Sequence, residues 1–216
     1  MTLSALFYGL GYLTGLAAYA GMARARRMAT SGIFAICGAG LLGGLVGANL
    51  AQWLATGGQP GKTMLGGVAG GYLAVALYKR RLGVTRPTGD LFAVALCAGE
   101  AVGRWGCFFG PCCFGRVTEV PWAVWQMGAP RHPTQIYLSV VCVLLLVALW
   151  RFARSHPPEN GLFFLHGALY CAARFVVEFF RETQPAAAGL STAQWACLAG
   201  FAFFAVRLHI LRKGMP

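Results

Sequence analysis

Charge is what this chain has least of. Asp, Glu, Lys and Arg make up 11% of its 216 residues, and six acidic side chains face eighteen basic ones. Soluble domains carry roughly a quarter charged residues. With 57% hydrophobic residues and a mean hydropathy of +0.61, this composition excludes an ordinary soluble domain. No basic segment precedes the first apolar run; Arg24, Arg26 and Arg27 follow it instead. That order is the reverse of a secretory leader, so the run is expected to be retained. Linkers, low-complexity tracts and internal repeats are also missing, and residues 1–216 read as a single membrane domain. The net charge of +12 is not accompanied by a basic soluble face with aromatic platforms, which argues against a nucleic-acid partner.

What the chain does have is apolar length. A helix of about 20 apolar residues crosses a bilayer while satisfying its own backbone. Seven such runs are expected, at 3–22, 31–55, 63–78, 89–109, 134–153, 161–180 and 191–211, giving an all-α polytopic membrane protein. Thirty glycines suit close packing of membrane helices.

Twelve of the eighteen basic residues lie near or beyond the ends of the first, third, fifth and seventh runs, while Lys62, Arg116, Arg131 and Arg181 mark the opposite side. Cytoplasmic loops are enriched in Lys and Arg, so the N-terminus is expected outside and the C-terminus in the cytoplasm. Contact with anionic head groups accounts for the excess positive charge.

In that orientation the unusual residues gather in the outer half of the membrane. Glu100 and Arg104 stand one helical turn apart near the outer end of the fourth run, and Arg174, Glu178 and Arg181 are similarly spaced in the sixth. Burying such a charge in a spanning helix costs about 2.5–3.5 kcal/mol, which marks it as functional unless it snorkels to the interface or forms a tethering ion pair. Guanidinium groups here suit bidentate binding of a lipid phosphate.

Eight cysteines are present, and only Cys107, Cys112 and Cys113 cluster. The others are scattered through apolar runs, where cysteine is a small hydrophobe. The cluster does not match a paired C-x-x-C zinc pattern. Three readings stand open: a structural disulfide or plain packing, with Cys107 and Cys112 the better pair; a thiol that carries or accepts lipid; and metal or redox chemistry.

Five segments together resemble the prolipoprotein diacylglyceryl transferases: "LFYGLGYLTG" (Leu6 to Gly15), "LGGVAGG" (Leu65 to Gly71), "GRWGCFFGPCCFGR" (Gly103 to Arg116), "PRHPTQIY" (Pro130 to Tyr137) and "YCAARFVVEFFRE" (Tyr170 to Glu182). The resemblance runs through nearly the whole chain. It implies a bacterial inner-membrane enzyme that moves diacylglyceryl from phosphatidylglycerol to the lipobox cysteine of a secreted precursor, without cofactor or metal. On the matching positions it implies catalytic roles for Arg104, Arg174, Tyr8 and Tyr170. Substrate contacts are implied at Gly66, Gly67, Gly115, Glu178, Arg181 and His132.

The chain departs from the family's pattern at four places. Leu65 stands where a histidine is usual, Cys107 and Gly110 where two asparagines are usual, and Cys112 where a glutamate is usual. A thiol must lose its proton before it displaces a phosphate ester, and leucine has no group to take it. His132, Glu100 and Glu178 are the remaining candidates for a base, with an adjacent arginine opposing that role at either glutamate. Two alternatives to the family reaction follow: another thiol-dependent lipid transfer at the same site through Cys107, Cys112 or Cys113, and a non-catalytic lipid-binding or transport protein.

Overall fold

The computed structural model describes residues 3–59, 61, 63–110 and 112–213, with the side chains of residues 64 and 65 left out. Seven helices follow the apolar runs closely: α1 (Leu3–Ala25), α2 (Ser31–Thr56), α3 (Met64–Arg81), α4 (Gly89–Phe108), α5 (Thr134–Ala153), α6 (Gly161–Glu178) and α7 (Thr192–Lys213). Among the described residues six are long and apolar enough to cross a membrane; α3 is not among them and ends on Lys79, Arg80 and Arg81. The chain is a multi-pass membrane protein by this architecture. Its outer surface is accordingly apolar, with Leu13, Leu42, Tyr72 and Leu144 all more than half exposed.

Local chemistry sets several boundaries. The Thr30 and Thr63 side chains accept from the Ile33 and Gly66 amides, capping α2 and α3. Gly57 ends α2 in the left-handed region, at φ 67°.

The all-α expectation needs one correction. Residues between α4 and α5 form a small antiparallel hairpin, β1 (Val124–Gln126) with β2 (Ala129–Arg131). Met127 and Gly128 between the strands both have positive φ (50° and 78°), as a two-residue hairpin turn requires. Three-residue strands containing Pro130 carry too little alternation to be seen in sequence.

The chain falls into two units, Met1–Tyr19 with Thr88–Pro216, and Ala20–Pro87. Within the second unit, α2 and α3 meet through glycine. A Cβ on Gly66 would collide with Ala51 and with the Gly47 carbonyl, and one on Gly70 with the Gly43 carbonyl.

Within the first unit, Gly11 and Gly15 of α1 lie against Gly103, Gly99 and Ala95 of α4. The two ends of this unit differ. At one end, the Asn160 side chain accepts from the Gly89 amide (3.2 Å) and Asp90 accepts from the Phe163 amide (3.1 Å). Arg207 lies over Phe164 and Arg212 over Phe152 at the same end, so the starts of α4 and α6 share it with the ends of α5 and α7. The other end holds the end of α4, the hairpin and the start of α5. Buried polar side chains cross-link the helices between: Ser139 donates to the Ala101 carbonyl (2.6 Å) and the Cys97 thiol to the Cys142 carbonyl (3.0 Å).

Candidate lipid-phosphate and thiol site

At the hairpin end of the first unit, the predicted residues resolve into three adjoining networks. The first is built on Arg104. Its Nε and one terminal nitrogen both donate to Glu100, four residues back on α4, and the Glu100 carboxylate also accepts from the Tyr170 hydroxyl of α6 at 2.7 Å. The same terminal nitrogen lies 3.4 Å from that hydroxyl. Tyr170 thus fixes the carboxylate that fixes the arginine, and a partly buried guanidinium is held in one orientation.

The second network contains Arg174 and Arg181. Arg174 and Glu178 form a buried ion pair within α6, with side chains 5% and 2% exposed. Arg181 approaches the same carboxylate at 3.6 Å, and Ser191 donates to it at 3.2 Å. Two guanidinium groups here share one carboxylate, which leaves net positive charge around Arg181. Sequence spacing could find the i, i+4 pair but not Ser191, which immediately precedes α7.

The third network is the cysteine cluster. The sulfurs of Cys107, Cys112 and Cys113 lie within 4.8 Å of one another, and all three are free thiols. The Tyr8 hydroxyl donates to the Cys107 sulfur at 3.4 Å and stands 3.7 Å from that of Cys112. Ser4, one turn before Tyr8, donates to the Gly106 carbonyl at 2.8 Å. The hydrogen bond with Cys107 holds the Cys113 thiol well below its ordinary range; the positive charges of Arg181 and Arg104 add to it, and burial opposes it. Arg104 and Arg181 therefore act on one thiol, although they come from different segments.

The loop carrying the cysteines is braced from the "PTQ" segment. Thr134 donates to the Cys113 carbonyl (2.7 Å) and Gln135 to the Cys112 carbonyl (3.0 Å), and both side chains are almost wholly buried. Neither residue stands out in the sequence by its chemistry, and their only signal is membership of the "PRHPTQIY" motif.

His132 is placed as a scaffold: its Nδ1 meets the Tyr137 hydroxyl at 3.1 Å, its ring sits edge-on to Phe180, and its carbonyl accepts from the Gly115 amide at 3.1 Å. Gly115 lies between two chain segments. A Cβ there would collide with His132 and stand 2.7 Å from the Phe180 carbonyl, while the Gly115 backbone bridges to Arg181. Gly115→Ala is expected to force these segments apart. Thermal unfolding in detergent should show a loss of about 1–3 kcal/mol, the range for overpacking a close site; an unchanged melting temperature would contradict the packing.

Gly66 and Gly67 belong to the other unit. There Gly66 is pressed against α2, and a Cβ on Gly67 would make ordinary contact, 3.5 Å from Ala48.

The family model described as prolipoprotein diacylglyceryl transferase matches residues 1–210. The chain belongs to this family. Relatives include phosphatidylglycerol–prolipoprotein diacylglyceryl transferase 1 of Streptomyces coelicolor, 31% identical over 71% of this chain and 47% of its own length. The enzyme of that name from Gloeobacter violaceus is 34% identical over 72% and 62%. That of Azoarcus sp. (strain BH72) is 32% identical over 96% of this chain and 92% of its own length. The chain thus spans about half to three-fifths of the first two relatives. Family membership gives the Arg104 segment, the cysteine loop and the end of α6 a common context that their spacing alone does not.

Proposed function

We propose that this protein transfers the diacylglyceryl group of phosphatidylglycerol to the lipobox cysteine thiol of a secreted precursor, in the bacterial inner membrane. The observation that carries the reading is the fixed guanidinium of Arg104. Glu100 and Tyr170 engage its Nε and one terminal nitrogen. An arginine has five N–H donors in a planar fork. Among the described residues no hydrogen bond takes up the second terminal nitrogen, which is left for an anionic oxygen in a setting where preorganised donors stabilise developing charge best.

Arg104 grips the lipid phosphate and Arg181 adds positive charge from across the cysteine loop. Arg174 acts with Glu178 in setting the position of Arg181, Tyr8 supplies a hydroxyl to the head group, and Tyr170 acts through Glu100 in holding Arg104. Gly115 and His132 shape the wall. The acceptor thiolate attacks the glyceryl carbon; the carbon–oxygen bond to phosphate breaks, and its electron pair leaves with the phosphate oxygen. The N-terminus lies outside on this reading. The site end of the first unit then faces away from the cytoplasm, and the end bearing Arg151, Arg154, Arg212 and Lys213 faces it.

Purified protein in liposomes containing phosphatidylglycerol labelled in its acyl chains should transfer label to a lipobox peptide and not to the peptide with serine in place of cysteine. Copurification of the lipid without any transfer would instead favour a binding protein.

A further inference from the structure

Three thiols converging on one point is more than a disulfide needs. Cys107 lies in the last turn of α4, while Cys112 and Cys113 follow in a loop whose two carbonyls are tied to buried Thr134 and Gln135. The backbone of Cys113 is held at φ 61°, a conformation that side chains other than glycine rarely adopt. Such strain persists where the surroundings enforce it and gathers at functional sites. The three sulfurs lie within 4.8 Å of one another. Thiolates bound to one tetrahedral zinc ion, at about 2.3 Å from the metal, stand about 3.8 Å apart, so closure needs the sulfurs to approach by no more than about 1 Å.

We propose that Cys107, Cys112 and Cys113 together bind one thiophilic divalent cation of the zinc class, and that its fourth coordination position receives the thiol to be lipidated. The second half rests on the transferase reading. The charge balance suits it: three thiolates and a divalent cation carry a net charge of −1, on a loop whose Gly115 backbone bridges to the cationic Arg181. Cysteine-rich donor sets select soft cations, and a catalytic site differs from a structural one in keeping one position open. Thr134 and Gln135 hold the loop by its carbonyls and leave the sulfurs free of them, while the Tyr8 hydroxyl stands beside the sulfurs of Cys107 and Cys112.

A bound cation also supplies what Leu65 cannot, since leucine has no proton acceptor, while Nδ1 of His132 meets the Tyr137 hydroxyl. A thiol coordinated to such a cation is deprotonated outright. Its proton passes to water as the metal–sulfur bond forms. The bound sulfur then supplies the electron pair for the new sulfur–carbon bond; the carbon–oxygen bond to phosphate breaks, and glycerol phosphate leaves with that electron pair.

The test uses full-length protein in detergent, stripped by a chelator under reducing conditions and reloaded with zinc or with cobalt as a spectroscopic probe. One cobalt per chain is expected, with thiolate-to-cobalt charge-transfer absorption that rises by about one third when a lipobox peptide adds a fourth thiolate. The serine peptide should leave the spectrum unchanged, and label transfer should vanish in stripped protein and return with zinc. A C107S/C112S/C113S variant should bind no cobalt, whereas C171S/C197S, altered elsewhere, should bind as the parent does. Failure of the parent protein to bind cobalt, or a spectrum indifferent to the cysteine peptide, overturns the proposal. Full transfer by metal-free protein also overturns it while leaving the transferase reading intact. A peptide-responsive cobalt spectrum without transfer under any loading does the opposite: the metal site stands and the transferase reading falls.

Discussion

Replacing Arg104 with alanine is expected to lower the transfer rate by about 100- to 1000-fold, the loss seen when one preorganised donor to a developing oxyanion is removed. The guanidinium is held by Glu100, which is in turn held by Tyr170 at 2.7 Å, so its remaining edge needs little reorganisation when charge builds on the phosphate. Arg104→Lys should not rescue the rate, because an ammonium cannot hold Glu100 and a phosphate oxygen in one plane. It should nevertheless restore part of any lost stability, since it keeps a positive charge beside the carboxylate. Alanine leaves Glu100 without its cation, so each variant is scored for amount inserted and melting temperature before its rate is compared. Transfer by Arg104→Ala within about threefold of the parent, at equal insertion, would remove Arg104 from the mechanism.

The largest stability effect is expected at Glu178. Its side chain is 2% exposed and it balances Arg174, itself 5% exposed, while also meeting Arg181 and Ser191. Breaking a buried pair by removing one partner typically costs about 3–5 kcal/mol, because the other charge is left uncompensated. Glu178→Ala should therefore melt far below the parent. Replacing the pair together, as Glu178→Met with Arg174→Met, should recover much of the loss, since a well-packed apolar pair of similar volume is often neutral. Transfer should remain absent in that double variant if Arg174 positions Arg181. A double variant that melts no higher than Glu178→Ala would mean that the ion pair is not the source of the stability.

The helices are legible in the sequence because each apolar run is bounded by charge, glycine or proline: α5 is expected at 134–153 and found there, and α4 ends within one residue of its expected limit. Small differences at α1, α3 and α7 arise where basic residues extend a helix beyond its apolar part. The hairpin is not legible, since Met127 gives no warning of a positive φ. Within the site, pairs one turn apart are legible as Glu100 with Arg104 and Arg174 with Glu178. Partners across helices are not, because the rotation of α6 against α4 that brings Tyr170 to Glu100 is set by packing. Spacing also does not show that Arg174 shares Glu178 with Arg181, which emerges as the less neutralised cation. The cysteines are visible as a cluster, while their convergence depends on Thr134 and Gln135, whose roles are fixed only by the folded loop.

The most direct measurement is complementation of a bacterial strain depleted of its own diacylglyceryl transferase. Expression of this chain should restore growth and lipid modification of a reporter precursor, and Arg104→Ala at equal membrane abundance should not. A parent chain that is stably inserted yet leaves the reporter unmodified and the strain unable to grow would contradict the account.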